Sequence, residues 1–175
     1  LTVADGFINE GLIELSNQFT IAYAATLNVT NGTLVNAPGA TLAAIGGQTP
    51  GGARTLGAML DNEGTLDVQV PLTISRPSSQ HTNNGQITLT TGSLTVTQTG
   101  TAPSFVNTGS MDIAVGRLVT LTGGTFVNDT DGLVQGAGAL SLSNVAAQFP
   151  GGLPGVASWA MTNSTVTVDE PLSTA

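Results

Sequence analysis

One nine-residue phrase returns six times along this chain, as FINEGLIEL, LVNAPGATL, LDNEGTLDV, HTNNGQITL, FVNTGSMDI and FVNDTDGLV. Aligned on the third residue, the copies place Asn9, Asn36, Asn62, Asn83, Asn107 and Asn128 in one column, at spacings of 27, 26, 21, 24 and 21 residues. Self-similarity at such a period marks a chain wound into stacked units, each burying its apolar residues only against its neighbours. Two positions before the Asn stand Phe7, Leu34, Leu60, His81, Phe105 and Phe126. Four positions after it stand Ile13, Ala40, Leu66, Ile87, Met111 and Gly132, and six after it Leu15, Leu42, Val68, Leu89, Ile113 and Val134. Between those last two columns lie Glu14, Thr41, Asp67, Thr88, Asp112 and Leu133, which are mostly polar. On this alignment no insertion is needed, and the alternation is that of a strand with one face turned inward.

No stretch sustains a 3.6-residue apolar period, while short alternating runs such as LTVTQT from Leu94 recur throughout. Strands repeating every 21–27 residues with no helix between them stack on their equivalents in the next coil. The expected fold is therefore all-β, a single-stranded parallel β-helix (β-solenoid) of about seven coils. The crossover rule favours right-handed winding, and ~4.8 Å per rung gives a rod of roughly 34 Å. Regular coils are expected over residues 1–145. Residues 146–175, with QFPGGLPGVASW and an out-of-step Asn163, read as a Pro/Gly loop plus an irregular C-terminal coil or contact tail of the same unit. The Asn column is expected to form a corner ladder, using a left-handed backbone and amides bonded from rung to rung, with Gly11, Gly64, Gly85 and Gly109 at the same corner.

Composition removes several function classes. Hydrophobic residues make up 40% and charged residues 8%, yet no apolar run approaches the ~20 residues of a membrane-spanning helix. The chain has no lysine, its only cations are Arg54, Arg76 and Arg117, and its net charge is -8. Binding nucleic acid through phosphate neutralisation, or an anionic membrane surface through attraction, runs against that charge. Cysteine is absent, so no disulfide or thiolate metal site exists. The opening LTVADG lacks a signal-peptide pattern and an initiator Met, and reads as a processed or excised chain.

No catalytic, cofactor-binding or metal-ligating residue set is expected. His81, the only histidine, stands in the phenylalanine and leucine column and is read as a stacked ring between Leu60 and Phe105 rather than an acid–base group. The outward column carries Glu14, Asp67 and Asp112 on alternate coils with Thr41 and Thr88 between them, a pattern that relieves like-charge repulsion. Their two-rung separation also lies within the range of an inverting carboxylate pair, but no Lys or matching Arg supports them. Asn128, Asp129 and Asp131 resemble a calcium loop in composition only and read as a solvated acidic turn. Sequons at Asn28, Asn31, Asn128 and Asn163 are as frequent as chance provides. The T-x-T pairs Thr88/Thr90, Thr95/Thr97 and Thr120/Thr122 do not fall at one position of the aligned coils, which counts against an ordered, ice-binding threonine face.

The pattern G-x-F-x-N-x-G-x-L-x-L, seen in DGFINEGLIEL and GGTFVNDTDG, resembles the repeats of filamentous haemagglutinin-like and autotransporter passenger β-helices of large bacterial surface proteins. The resemblance covers roughly residues 1–145 and implies secretion and an extracellular or cell-surface location. It carries over no binding residue, because the shared positions are core and corner ones. The expected function is a non-catalytic extracellular structural solenoid: a stalk, an adhesin segment, or a filament or matrix subunit stacking head to tail. Its expected partners are copies of itself or adjoining segments of a larger surface protein, with no nucleic acid and no membrane span. The alternative is a polysaccharide-active or carbohydrate-binding β-helix module. Trp159 and Tyr23, the aromatic residues such a module would draw on, are too few for a sugar-binding patch.

Overall fold

A computed structural model describes residues 1–48 and 51–169. The described chain is all-β with no helix, and its parallel strands stack in about seven coils as a β-solenoid. The first coil holds β1 (Thr2–Val3), β2 (Phe7–Asn9) and β3 (Leu12–Leu15). The second holds β4 (Ala25–Asn36) and β5 (Thr41–Ala44), and the third β6 (Arg54–Asn62) and β7 (Thr65–Val68). Then come β8 (Leu72–Ser75), β9 (Gln80–Asn83) and β10 (Gln86–Leu89), followed by β11 (Leu94–Thr97), β12 (Ser104–Asn107) and β13 (Ser110–Ile113). The remainder comprises β14 (Leu118–Thr122), β15 (Thr125–Asn128), β16 (Leu133–Ser143), β17 (Ala146–Phe149), β18 (Gly155–Thr162) and β19 (Thr165–Val168).

Each strand pairs only with its equivalents one coil away, so the winding has three faces. The first face runs from β1 through the start of β4, the start of β6, β8, β11, β14 and the end of β16 to the end of β18. The second runs from β2 through β9, β12 and β15 to β19, and the third from β3 through β7, β10 and β13 to the start of β16. The strands β4, β6, β16 and β18 turn a corner within their length. Side-chain alternation does the rest: β6 is alternately buried and half-buried over its whole length, and Leu56, Leu66, Leu89, Leu94, Leu121 and Phe126 are fully enclosed.

The third face departs from the ungapped alignment at two coils. Leu66 pairs with Leu42 rather than Ala40, so the inward residues of that coil are Leu42 and Ala44 and the outward one is Ala43, not Thr41. Met111 likewise pairs with Val134 rather than Gly132, which makes Gln135 the outward residue in place of Leu133. Both corners hold two more residues than their neighbours. Each closes as a tight turn, with Ala40 N–H donating to Ala37 O and Gly132 N–H to Asp129 O, each at 2.9 Å. An insertion of two leaves the inside–outside parity intact, which is why the sequence hides it.

The Asn corners also differ from expectation. None of the six ladder residues has a positive φ; among the described residues the non-glycine ones that do are Ser78, Ala102, Asn144 and Asn163. The ladder Asn residues instead end extended strands. The adjacent glycines serve close approach rather than φ: a Cβ on Gly85 would overlap the carbonyl oxygen of Gly64, and one on Gly109 that of Gly85.

In the segment expected to hold a Pro/Gly loop and an irregular C-terminal coil, the loop is short. Ala146–Phe149 forms β17 with Phe149 fully buried, and only residues 150–154 remain between it and β18. The prolines Pro150 and Pro154 confine themselves to that short connection, where no ladder donor is needed. Residues 170–175 of the expected tail lie outside the described residues.

Thr95 and Thr97 pair directly with Thr120 and Thr122 on the first face. Their offsets from the Asn differ because the connections from the first to the second face are unequal, at 76–79, 98–103 and 123–124. Thr88 belongs to the third face, between Asp67 and Asp112.

Candidate functional site

The second face brings two sets of singled-out residues into adjacent columns. In the ring column, Phe7 pairs with Leu34, Leu34 with Leu60, His81 with Phe105, and Phe105 with Phe126. Between Leu60 and His81 the backbone ladder keeps only the Asp61–Thr82 and Asn62–Asn83 pairs. The imidazole fills that gap, and Leu60 N–H donates to His81 Nδ1 at 3.2 Å. An acceptor at Nδ1 fixes the proton of the neutral ring on Nε2, which has no partner among the described residues. His81 is 2% exposed, and burial first, the Arg76 guanidinium second, push it down from the usual 6.5 to about 4. Its ring meets Phe105 edge-on at 6.4 Å, and Phe105 meets Phe126 at 5.8 Å. Beyond Phe126 the column continues as Ala147 and Val166, while the aromatic contacts step sideways to Phe149 (5.8 Å) and then Trp159 (6.1 Å).

Beside this column runs a continuous amide relay. Each Nδ2 donates to the Oδ1 of the next rung: Asn9 to Asn36 at 2.8 Å, then Asn36 to Asn62, Asn62 to Asn83, Asn83 to Asn107 and Asn107 to Asn128, each at 2.7 Å. The second Nδ2 hydrogen goes to backbone carbonyls at the corner, as from Asn62 to Gln86 O at 3.1 Å and from Asn83 to Ser110 O at 3.1 Å. All six residues are buried, and every dipole points the same way, an arrangement in which each bond polarises the next. The relay stops at Asn128, whose Nδ2 turns to Gly132 O at 2.8 Å, because the next coil places Phe149 in that column.

Two of the outward acids accept from surface amides. Asp112 accepts from Gln135 Nε2 at 2.7 Å and Gln86 Nε2 at 3.3 Å, and Asp67 from Gln69 Nε2 at 2.7 Å. Ala43 and Thr88 occupy the rungs between the acids Glu14, Asp67 and Asp112. Asp129 accepts from the Thr130 N–H at 2.8 Å, and no group of three or more His, Cys, Asp or Glu able to hold a metal ion occurs among the described residues. The sequon residue Asn128 is buried in the relay, so its amide is not available to a transferase in the folded chain.

Two features escaped the repeat. Arg54 stands in an inward column of the first face between Ala25 and Leu72, 1% exposed. Its guanidinium donates to the carbonyls of Ile45 (3.0 Å), Gly46 (3.1 Å), Gly52 (3.1 Å), Tyr23 (3.2 Å) and Gly51 (3.2 Å), tying Tyr23 and residues 45–46 and 51–52 onto the coil. An arginine interrupting the apolar rhythm was the available signal. Phe19, like Tyr23, lies outside the ring column; the two are exposed and meet at 5.6 Å with planes 84° apart. That perpendicular pair offers no flat platform for a sugar ring. No protein-family model, curated protein or solved structure matches this chain.

Proposed function

We propose that this chain is a non-catalytic structural β-solenoid of a cell exterior, acting as a stalk, an adhesin segment, or a filament or matrix subunit that stacks on copies of itself or on adjoining segments of a larger surface protein. The observation that carries this reading is the double linkage between coils. Three backbone ladders join each coil to the next, and a buried amide relay adds a side-chain link from Asn9 to Asn128. Such a rod resists separation of its coils along its whole length, which a stalk under tension requires. The resemblance of its repeats to bacterial surface β-helices supports the location. Pulling the chain between handles by force spectroscopy tests the reading. Stepwise rupture releasing about one coil at a time is expected, since coils contact only their neighbours. Smooth extension at low force would overturn it.

A further inference from the structure

The first face carries two outward columns of hydroxyl side chains in unbroken register. Thr26, Thr55, Thr73, Thr95, Thr120 and Ser141 are successive partners in one column. Ser75, Thr97, Thr122, Ser143 and Thr162 are successive partners in the other. Four consecutive rungs thus present both positions, from Thr73/Ser75 to Ser141/Ser143; one rung earlier the second column lapses at Gly57. Rungs lie ~4.8 Å apart and residues two apart on a strand ~6.7 Å, so the oxygens form a rectangular net.

We infer that this face binds the surface of ice, through the water molecules ordered on its hydroxyl net. No charged residue stands in either column, whereas the acids Glu14, Asp67 and Asp112 lie on the third face. Among the described residues the threonine hydroxyls of the net have no protein partner, and Ser143 alone takes one bond, from Asn144 Nδ2 at 3.3 Å. Some threonines off the net spend theirs, as Thr91 Oγ1 donates to Gln69 O at 2.6 Å and Thr82 Oγ1 to Asp61. The net is also rigid. Its β-branched side chains have few χ1 states, and its strands are seated on Leu72, Ile74, Leu94, Val96, Val119, Leu121, each buried.

A ligand that engages a two-dimensional repeat must itself repeat in two dimensions. A folded protein does not, and Ser and Thr are poor anchors for a protein interface. A glycan chain repeats along one direction and is gripped by aromatic rings, which these four rungs lack. The prism faces of hexagonal ice present rows of oxygens at closely similar spacings in both directions, with the hydroxyls entering the lattice and the methyl groups holding water in place between them. This activity is separate from the structural role and stands or falls without it.

Thermal hysteresis and partition of the labelled chain into a slowly grown ice hemisphere test the inference. The native chain is expected to lower the freezing point below the melting point and to enter the ice. Thr120→Tyr, at the centre of the net, is expected to abolish both, while Thr88→Tyr on the third face leaves both unchanged. Thr97→Val, which removes one hydroxyl at nearly constant shape, weakens both and keeps the test open should the tyrosine variant misfold. A native chain with no hysteresis and no ice partition overturns the inference, as does equal loss in Thr120→Tyr and Thr88→Tyr with both shown folded by circular dichroism.

Discussion

Acid should loosen this protein through one residue. His81 sits neutral in the core at about 4, against 6.5 in the unfolded chain. Above pH 6.5 neither state is protonated and the full stability is present. As pH falls from there, the unfolded chain takes up a proton that the folded chain refuses, so stability is lost until both are protonated below about 4. A fall from 6.5 to about 4, at about 1.4 kcal/mol per pH unit, is a loss of about 3–4 kcal/mol, large against the 5–15 kcal/mol typical of a domain. Geometry agrees with the direction: protonation at Nδ1 would set an N–H against the Leu60 N–H that now donates to it. Urea unfolding near pH 7 and near pH 4.5, on the native chain and on His81→Phe, measures this loss directly. The variant should lose about 1–3 kcal/mol near pH 7, because Leu60 N–H is left without its acceptor, but should show a much flatter acid response. Equal losses of stability in the two chains across this window would refute the reasoning.

Further outcomes follow from single contacts. Asn83→Leu removes the acceptor of Asn62 and the donor to Asn107, and should cost about 2–4 kcal/mol by chemical denaturation. Arg54→Leu keeps the column apolar but strips donors from five carbonyls; it should cost about 3 kcal/mol and open residues 45–46 and 51–52 to limited proteolysis. Gly109→Ala forces a methyl group onto the Gly85 carbonyl and should cost about 1–3 kcal/mol or more, whereas Gly11→Ala, with nothing within 4 Å of its Cβ position, should be neutral or slightly stabilising in the same melts.

The architecture was legible because burial imposes period two within a strand and stacking imposes one period per coil, and both are written in apolar residues. The same physics explains what stayed hidden. The two-residue insertions at Ala37–Ala40 and Asp129–Gly132 preserve parity, so Ala40 and Gly132 could pass for members of a column that Leu42 and Val134 fill. The hydroxyl net was concealed by the anchor of the alignment: Thr95 and Thr120 stand at different distances from Asn107 and Asn128, yet they are rung partners. β17 was obscured by Pro and Gly that belong to the five residues after it, 150–154. Arg54 carried no local motif, because its five acceptors are backbone carbonyls from two separate connections.

Excision of a coil tests the central claim most directly. Ser110 and Gln86 are rung partners, and Gln86 pairs in turn with Thr65. Deleting residues 86–109 therefore joins Gly85 to Ser110 and sets β13 onto β7, with Asn83 stacked on Asn128. Deleting 98–109 removes one face of a coil and throws every later strand off its partner. A stacked solenoid predicts that the first deletion still unfolds cooperatively in guanidinium and is shorter by ~4.8 Å in solution scattering, while the second does not fold. Equal damage from both deletions, or equal tolerance of both, would contradict it.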